Sequence, residues 1–215
     1  MIDLTHEITA AMPLPAGAVA TELAPAAGLG GGIRLDAAAG THVLTPAAVT
    51  AGGLTLEQFP LTQFFGLGVV LDVAAFAGGE IPPETLTALG DDLQLAQFLL
   101  LRSGWDRYWG EDTYRQGYPV LSAAAAALLA QLPDLGGVAT DAPSLDAPGT
   151  ATPVQQALAA GNKLAAVDLC HLELIQGRHC LLNLIPLPLS GLKACPVRAL
   201  AFEAPAGIYY PGVQN

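Results

Sequence analysis

A chain of 215 residues has room for one α/β domain of the larger kind with a sizeable buried core. Charged residues make up 13% and hydrophobic residues 52%, and the net charge of −11 leaves eight basic residues scattered along the chain; this excludes the clustered cations that nucleic acid or an anionic membrane surface requires. No apolar run reaches the roughly 18 residues of a membrane-spanning helix, and Asp3 and Glu7, with no basic patch before an apolar stretch, do not read as a signal peptide.

Short apolar strands alternate with helical stretches, which predicts one mixed α/β domain over 1–215. Strands are expected at 2–4, 33–37, 68–73, 98–102, 137–140, 164–167, 180–185 and 197–202, several of them continuous apolar runs of the kind covered on both faces. Gly28 to Gly32 has no strand before it and no Lys-Ser or Lys-Thr pair after it, so it reads as a mobile surface loop and not a phosphate loop. Trp105, Tyr108, Trp109, Tyr114 and Tyr118 gather in one segment able to wall a pocket or a subunit interface. Ser122 caps a helix over 123–132 that Pro133 ends, and its five consecutive alanines suit close packing against a neighbour. A second helix is expected from Pro153 to Ala160, stopped by Gly161. Cys170, Cys180 and Cys195 leave one thiol unpaired in any disulfide scheme and form no Cys-x-x-Cys pair, which fits buried thiols in a reducing cytoplasm. The scarcity of charge also predicts that apolar surface is hidden in a homodimer or homotetramer, alanine bias being the competing explanation.

Gly40-Thr41-His42-Val43-Leu44-Thr45-Pro46 holds the sharpest chemical signal. Small residues, Ala37 to Ala39, enter a Gly-Thr-His turn and leave through Thr45-Pro46, a course that gathers alternate side chains about one point. This stretch resembles the loop of the cyclase and kynurenine formamidase family of hydrolases, whose pattern is His-x-Gly-Thr-His-x-Asp-x-Pro-x-His. The likeness extends over nearly the whole chain. Ile2 to His6 and Met12 to Gly17 resemble the family's first strand and Pro-Gly turn, and Thr55 to Leu61 with Val69 to Val73 its next helix turn and strand. Leu99 to Trp105 is similar to its Leu-Leu-Arg-Thr-Gly-Trp strand, Thr140 to Asp146 to its Asp-x-Pro-Ser-x-Asp loop, and Pro186 to Gly191 with Cys195 to Ala199 to its tail. The resemblance implies a swivelling β/β/α domain, a curled mixed sheet with helices packed outside, and relatives that hydrolyse amides, lactones or related cyclic bonds, N-formylkynurenine among them.

The family's metal centre carries over poorly, residue by residue. Ala38 stands at the first loop histidine, His42 matches the second, Leu44 replaces the aspartate and Ala48 the histidine that would act as acid or base. Gln155 replaces a further ligand, and Asp168 keeps a carboxylate one methylene shorter than the family's glutamate. A zinc or manganese hydrolase needs three or more carboxylate or imidazole ligands to hold the ion and lower the pKa of its water to about 7. His42, Gln155 and Asp168 supply at best one weak metal site, because a neutral amide is a poor donor to zinc. No metal or other cofactor is therefore expected as obligatory.

What remains is a pocket for a small molecule, with His42 and Asp168 as candidate acid-base groups and Gln155, Leu14, Leu44 and Trp105 as candidate substrate contacts. Each has a plainer reading beside it: a lone histidine after Gly-Thr also serves to pin its loop to a carbonyl, and a carboxylate ending an apolar strand must be paired or reach water. Cys170 and His171 invite a nucleophile reading, but neighbours in a strand point to opposite faces. His6 reads as structural, and His179 beside Arg178 as an exposed turn. Asp141, Ser144 and Asp146 with Arg102 and Ser103 form a second polar group; lacking the Gly-x-Ser-x-Gly setting of a serine nucleophile, it is better explained by loop-shaping hydrogen bonds. Two functions stay open: an altered hydrolase acting on an aromatic or cyclic amide, ester or lactone, or a non-catalytic relative that binds a small molecule or partner through the old pocket.

Overall fold

The computed structural model describes residues 1–15, 17–25 and 31–203. In chain order its strands are β1 (Ile2–Asp3), β2 (Glu22–Pro25), β3 (Gly31–Arg34), β4 (His42–Leu44), β5 (Phe65–Asp72), β6 (Glu80–Ile81), β7 (Phe98–Arg102), β8 (Val120–Leu121), β9 (Gly137–Thr140), β10 (Leu164–Val167), β11 (His179–Asn183), β12 (Ala194–Pro196) and β13 (Leu200–Phe202). The α-helices are α1 (Pro83–Thr87), α2 (Asp91–Leu95), α3 (Ala123–Gln131) and α4 (Pro153–Ala160). Nine strands make one sheet in the order β1-β13-β11-β5-β7-β9-β10-β4-β12. Its centre, β5-β7-β9-β10, is parallel. Antiparallel partners flank it, with β11, β13 and β1 on one side and β4 and β12 on the other.

The central strands are apolar throughout because both faces of the sheet are covered. Phe98, Leu100, Ala139 and Ala166 enter one core, while their neighbours Leu99, Leu101, Val138 and Ala165 enter the other, the alternation that a pleated strand imposes. The first core draws Leu182 and Ala201 from one edge of the sheet and Val43 and Cys195 from the other, so the sheet curls around it. Leu86, Leu129, Val154 and Leu158 of α1, α3 and α4 cover the second. A curled mixed sheet with helices outside is the architecture expected from the sequence.

The helices follow their signals. The Ser122 hydroxyl accepts the Ala125 N–H at the start of α3, and Ala125 and Ala126 are fully buried. The polypeptide after α4 passes so close to α3 that a Cβ on Gly161 would lie 2.3 Å from the Ala130 carbonyl oxygen.

Several expectations are corrected. The strand expected at 33–37 stops at Arg34, because the Asp36 carboxylate takes the N–H groups of Val19 and Ala38 and turns the chain. β4 and β12 were not expected at all. His179 lies in β11 and not in an exposed turn, its Nε2 3.0 Å from the Asp92 carboxylate. Arg102 pairs with Asp72 on the adjacent parallel strand instead of joining Asp141. Cys170 and His171 lie outside the strands, and the left-handed backbone of His171 brings Sγ within 3.4 Å of Nδ1. Burial nevertheless pushes the Cys170 thiol up to about 12, which keeps it protonated and inert. Trp105, Tyr114 and Tyr118 are buried with Val120 and Ala142 in a third apolar cluster, so this part of the aromatic segment faces the subunit's own interior. Of the glycine-rich stretch, Gly28 to Gly30 lie outside the described residues, and Gly31 and Gly32 belong to β3.

Candidate functional site

Gly40 adopts a left-handed backbone (φ 61°) that favours glycine, and its carbonyl thereby meets the ring of His42 two residues on. His42 Nδ1 lies 2.8 Å from that oxygen. A carbonyl can only accept, so Nδ1 carries a proton, and in the neutral ring the lone pair is on Nε2. Between them, the Thr41 hydroxyl donates to the Asp168 backbone carbonyl at 2.5 Å and accepts the His6 N–H at 2.9 Å.

The pairing of β4 with β10 sets His42 opposite Val167. Asp168 then leaves the end of β10 in a left-handed conformation (φ 55°), which aspartate tolerates better than bulkier residues. Its N–H donates to the Ala142 carbonyl at 3.0 Å, while Thr41 holds its C=O. The carboxylate divides its oxygens: Tyr114 donates its hydroxyl to Oδ1 at 2.7 Å, and Oδ2 stands 3.7 Å from His42 Nδ1, within charge-pairing range but beyond a hydrogen bond. His42 is 4% exposed and Asp168 8%. Burial pushes the Asp168 carboxyl above its ordinary range, against the charge of His42 and the Tyr114 hydroxyl. Burial and the Asp168 charge together hold the Tyr114 phenol protonated, hence a donor.

Tyr114 was expected only as part of the aromatic segment, not as the hydrogen-bond partner of Asp168. It is fixed by the Trp105 indole N–H, which donates to its backbone carbonyl at 2.8 Å, and by an edge-to-face contact with Trp109 at 5.1 Å. Trp109 stacks in turn on His6, 3.9 Å away and nearly parallel. The signal that points to such a residue is the need of a buried carboxylate for a donor.

His42 and Asp168 are thus brought together, and the remaining candidates are placed around or apart from them. Trp105 supports Tyr114 from behind. Leu44 packs against the helix-side core. Gln155 sits in the first turn of α4, its side-chain amide 3.4 Å from the Ser144 hydroxyl and its backbone N–H on Asp146. Leu14 is half-buried in the segment between β1 and β2. The second polar group shapes loops: Asp141 accepts from the Ser103 N–H and hydroxyl and from the Gly104 N–H, and Asp146 accepts from Val154 and Gln155 at the start of α4. Burial, opposed by those Ser103 and Gly104 bonds, pushes Asp141 up to about 6.

Among the described residues, no three His, Cys, Asp or Glu side chains converge to hold a metal ion. A cleft of about 480 Å³ lies between the segment after β1 and β12, lined among others by Thr5, His6, Leu35, Pro196 and Val197 but not by His42 or Asp168. Pro196 is the register partner of His42, and the Val197 N–H donates to the Thr41 carbonyl.

A family model described as "Putative cyclase" matches residues 2–147. The chain belongs to the cyclase family. It is also 31% identical over 179 residues to a kynurenine formamidase of Salinibacter ruber (strain DSM 13855 / M31), an overlap of 81% of this chain and 80% of that one. An isatin hydrolase bound to the product analogue thioisatinate superimposes with a TM-score of 0.81 at 17% identity, over 93% of this chain and 90% of that one. Isatin hydrolase A from Labrenzia aggregata bound to benzyl benzoate gives 0.80 at 22%, over 93% and 92%. At these identities the two structures show that the cyclase-family fold is shared. The chain is an arylformamidase-like hydrolase homologue, and the matched segment holds His42 and Tyr114, to which β10 returns Asp168 from beyond it. No helix among the described residues is long and apolar enough to cross a membrane.

Proposed function

We propose that this chain hydrolyses an aromatic or cyclic amide, ester or lactone through His42 and Asp168, without an obligatory metal. The observation that carries the reading is the buried pair itself: Nδ1 of His42 is committed to the Gly40 carbonyl, Nε2 is left as a base, and a carboxylate stands 3.7 Å from the ring. In the reaction, Nε2 takes a proton from a water as its oxygen attacks the substrate carbonyl. The same proton passes to the leaving nitrogen or oxygen when the tetrahedral intermediate collapses, and the Asp168 charge stabilises the imidazolium between the two steps.

The donor set does not fit a zinc or manganese centre. Ala38, Leu44 and Ala48 offer no lone pair, the Gln155 amide is turned to Ser144, and Tyr114 occupies one oxygen of Asp168. The names of the kynurenine formamidase and the isatin hydrolases support an aromatic or cyclic amide as substrate class. The cleft beside β12 has the size of small-molecule sites, which run from about 300 to 1,000 Å³, but neither His42 nor Asp168 lines it. Three free buried cysteines fit a reducing cytoplasm, and exposed Ile33, Leu187 and Leu189 support self-association as a homodimer or homotetramer.

One observation favours the non-catalytic alternative: His42 and Asp168 are nearly closed off from solvent, so a substrate has to reach a pair with little open surface. Incubation with N-formylkynurenine, isatin and aryl lactones under excess chelator separates the readings. Turnover that ignores the chelator and disappears in His42→Ala is the expected result. Binding of a compound without turnover would establish the alternative, and turnover abolished by the chelator would refute metal-free chemistry.

A further inference from the structure

We propose that Tyr114 is the positioning residue that holds the Asp168 carboxylate off His42 and so keeps the imidazole on the Gly40 carbonyl. The inference rests on reading His42 and Asp168 as the working pair. A carboxylate is a stronger acceptor for an N–H than a neutral carbonyl, yet Nδ1 lies 2.8 Å from the Gly40 oxygen and 3.7 Å from Asp168 Oδ2. Closing that gap by about 1 Å would bring Oδ2 into hydrogen-bond range and let it capture the proton. The Asp168 backbone cannot choose between the two arrangements, because its N–H is tied to Ala142 and its C=O to Thr41. The remaining freedom is rotation of the carboxylate, and the Tyr114 hydroxyl fixes it at Oδ1.

Tyr114 is suited to that task because it cannot follow the carboxylate. It is fully buried, Trp105 holds its backbone carbonyl, and Trp109 packs edge-on against its ring. The two indoles of the aromatic segment therefore act on the site through Tyr114. While the carboxylate is held back, the His42 ring keeps the orientation in which Nδ1–H faces Gly40 and Nε2 is free for a proton.

Tyr114→Phe removes one oxygen and leaves the ring and the backbone carbonyl in place. Nitrogen-15 correlation spectra of the histidine rings, recorded on folded wild-type and variant protein, are expected to show the His42 Nδ1 resonance shift as its proton passes from Gly40 to Asp168. A folded variant with an unchanged His42 pattern would overturn the proposal. Should the variant not fold, 3-fluorotyrosine placed at position 114 gives a second reading. Its fluorine resonance is expected to move on Asp168→Asn, and coincident resonances would again overturn the assignment. These spectra report position and not turnover, so a moved His42 resonance together with a fully active His42→Ala would sink the proposed function and leave the role of Tyr114 standing.

Discussion

His42 is both buried and hydrogen-bonded, so removing it acts on stability and chemistry at once. His42→Ala strands the Gly40 carbonyl and removes the imidazole beside Asp168, at an expected cost of about 1 to 3 kcal/mol. His42→Gln separates the two effects. Its amide can donate to Gly40 but cannot act as a base, so denaturant unfolding should stay within about 1 kcal/mol of wild type while turnover falls by a factor of about 100 or more. Asp141 gives a second test, through pH. Burial raises its carboxyl to about 6 in the folded chain, against about 3.9 when unfolded. Between those values the folded state holds a proton the unfolded state has shed, so stability is fully present below about pH 4 and is lost as pH rises through about 6. The stability of wild type minus that of Asp141→Asn should therefore fall by about 2 kcal/mol from pH 4 to pH 7 in urea titrations. A difference independent of pH would contradict the raised carboxyl. At this scale, His42 and Asp168 were legible because a histidine after Gly-Thr and a carboxylate at the end of an apolar run are conspicuous. Tyr114, 54 positions from Asp168 along the chain, was not, since its meaning exists only once β10 returns against β4.

The close approach of α3 and the turn after α4 makes a test at the scale of elements. Gly161→Ala would place a methyl 2.3 Å from the Ala130 carbonyl oxygen, backbone that cannot yield cheaply. The expected loss is about 1 to 3 kcal/mol in denaturant unfolding, and an unchanged midpoint would show that the two segments do not pack this closely. The elements most legible in sequence are the buried strands covered on both faces and the helix framed by proline and glycine. β7, β9, β10 and α4 begin and end where predicted, since continuous apolar runs and a proline-to-glycine helix frame carry their own boundaries. β4 and β12 were missed for a physical reason: three residues are too few to show a period. As the edge strand of the sheet, β12 also tolerates Pro196, a residue that argues against a strand in sequence.

For the whole molecule, the alternation of apolar runs and the five resembling blocks made the curled mixed sheet legible before any coordinates. The assembly state was less so, because alanine raises the hydrophobic fraction without adding much contact area. Sedimentation is expected to give a dimer or larger, on account of exposed Ile33, Leu187 and Leu189 and the 13% charged content; a clean monomer at micromolar concentration would leave composition bias as the explanation. That the His42–Asp168 pair works without a metal is tested most directly by elemental analysis of protein produced in medium supplemented with zinc and manganese and then dialysed. The predicted result is far less than one metal ion per chain. One or more equivalents surviving dialysis would contradict it.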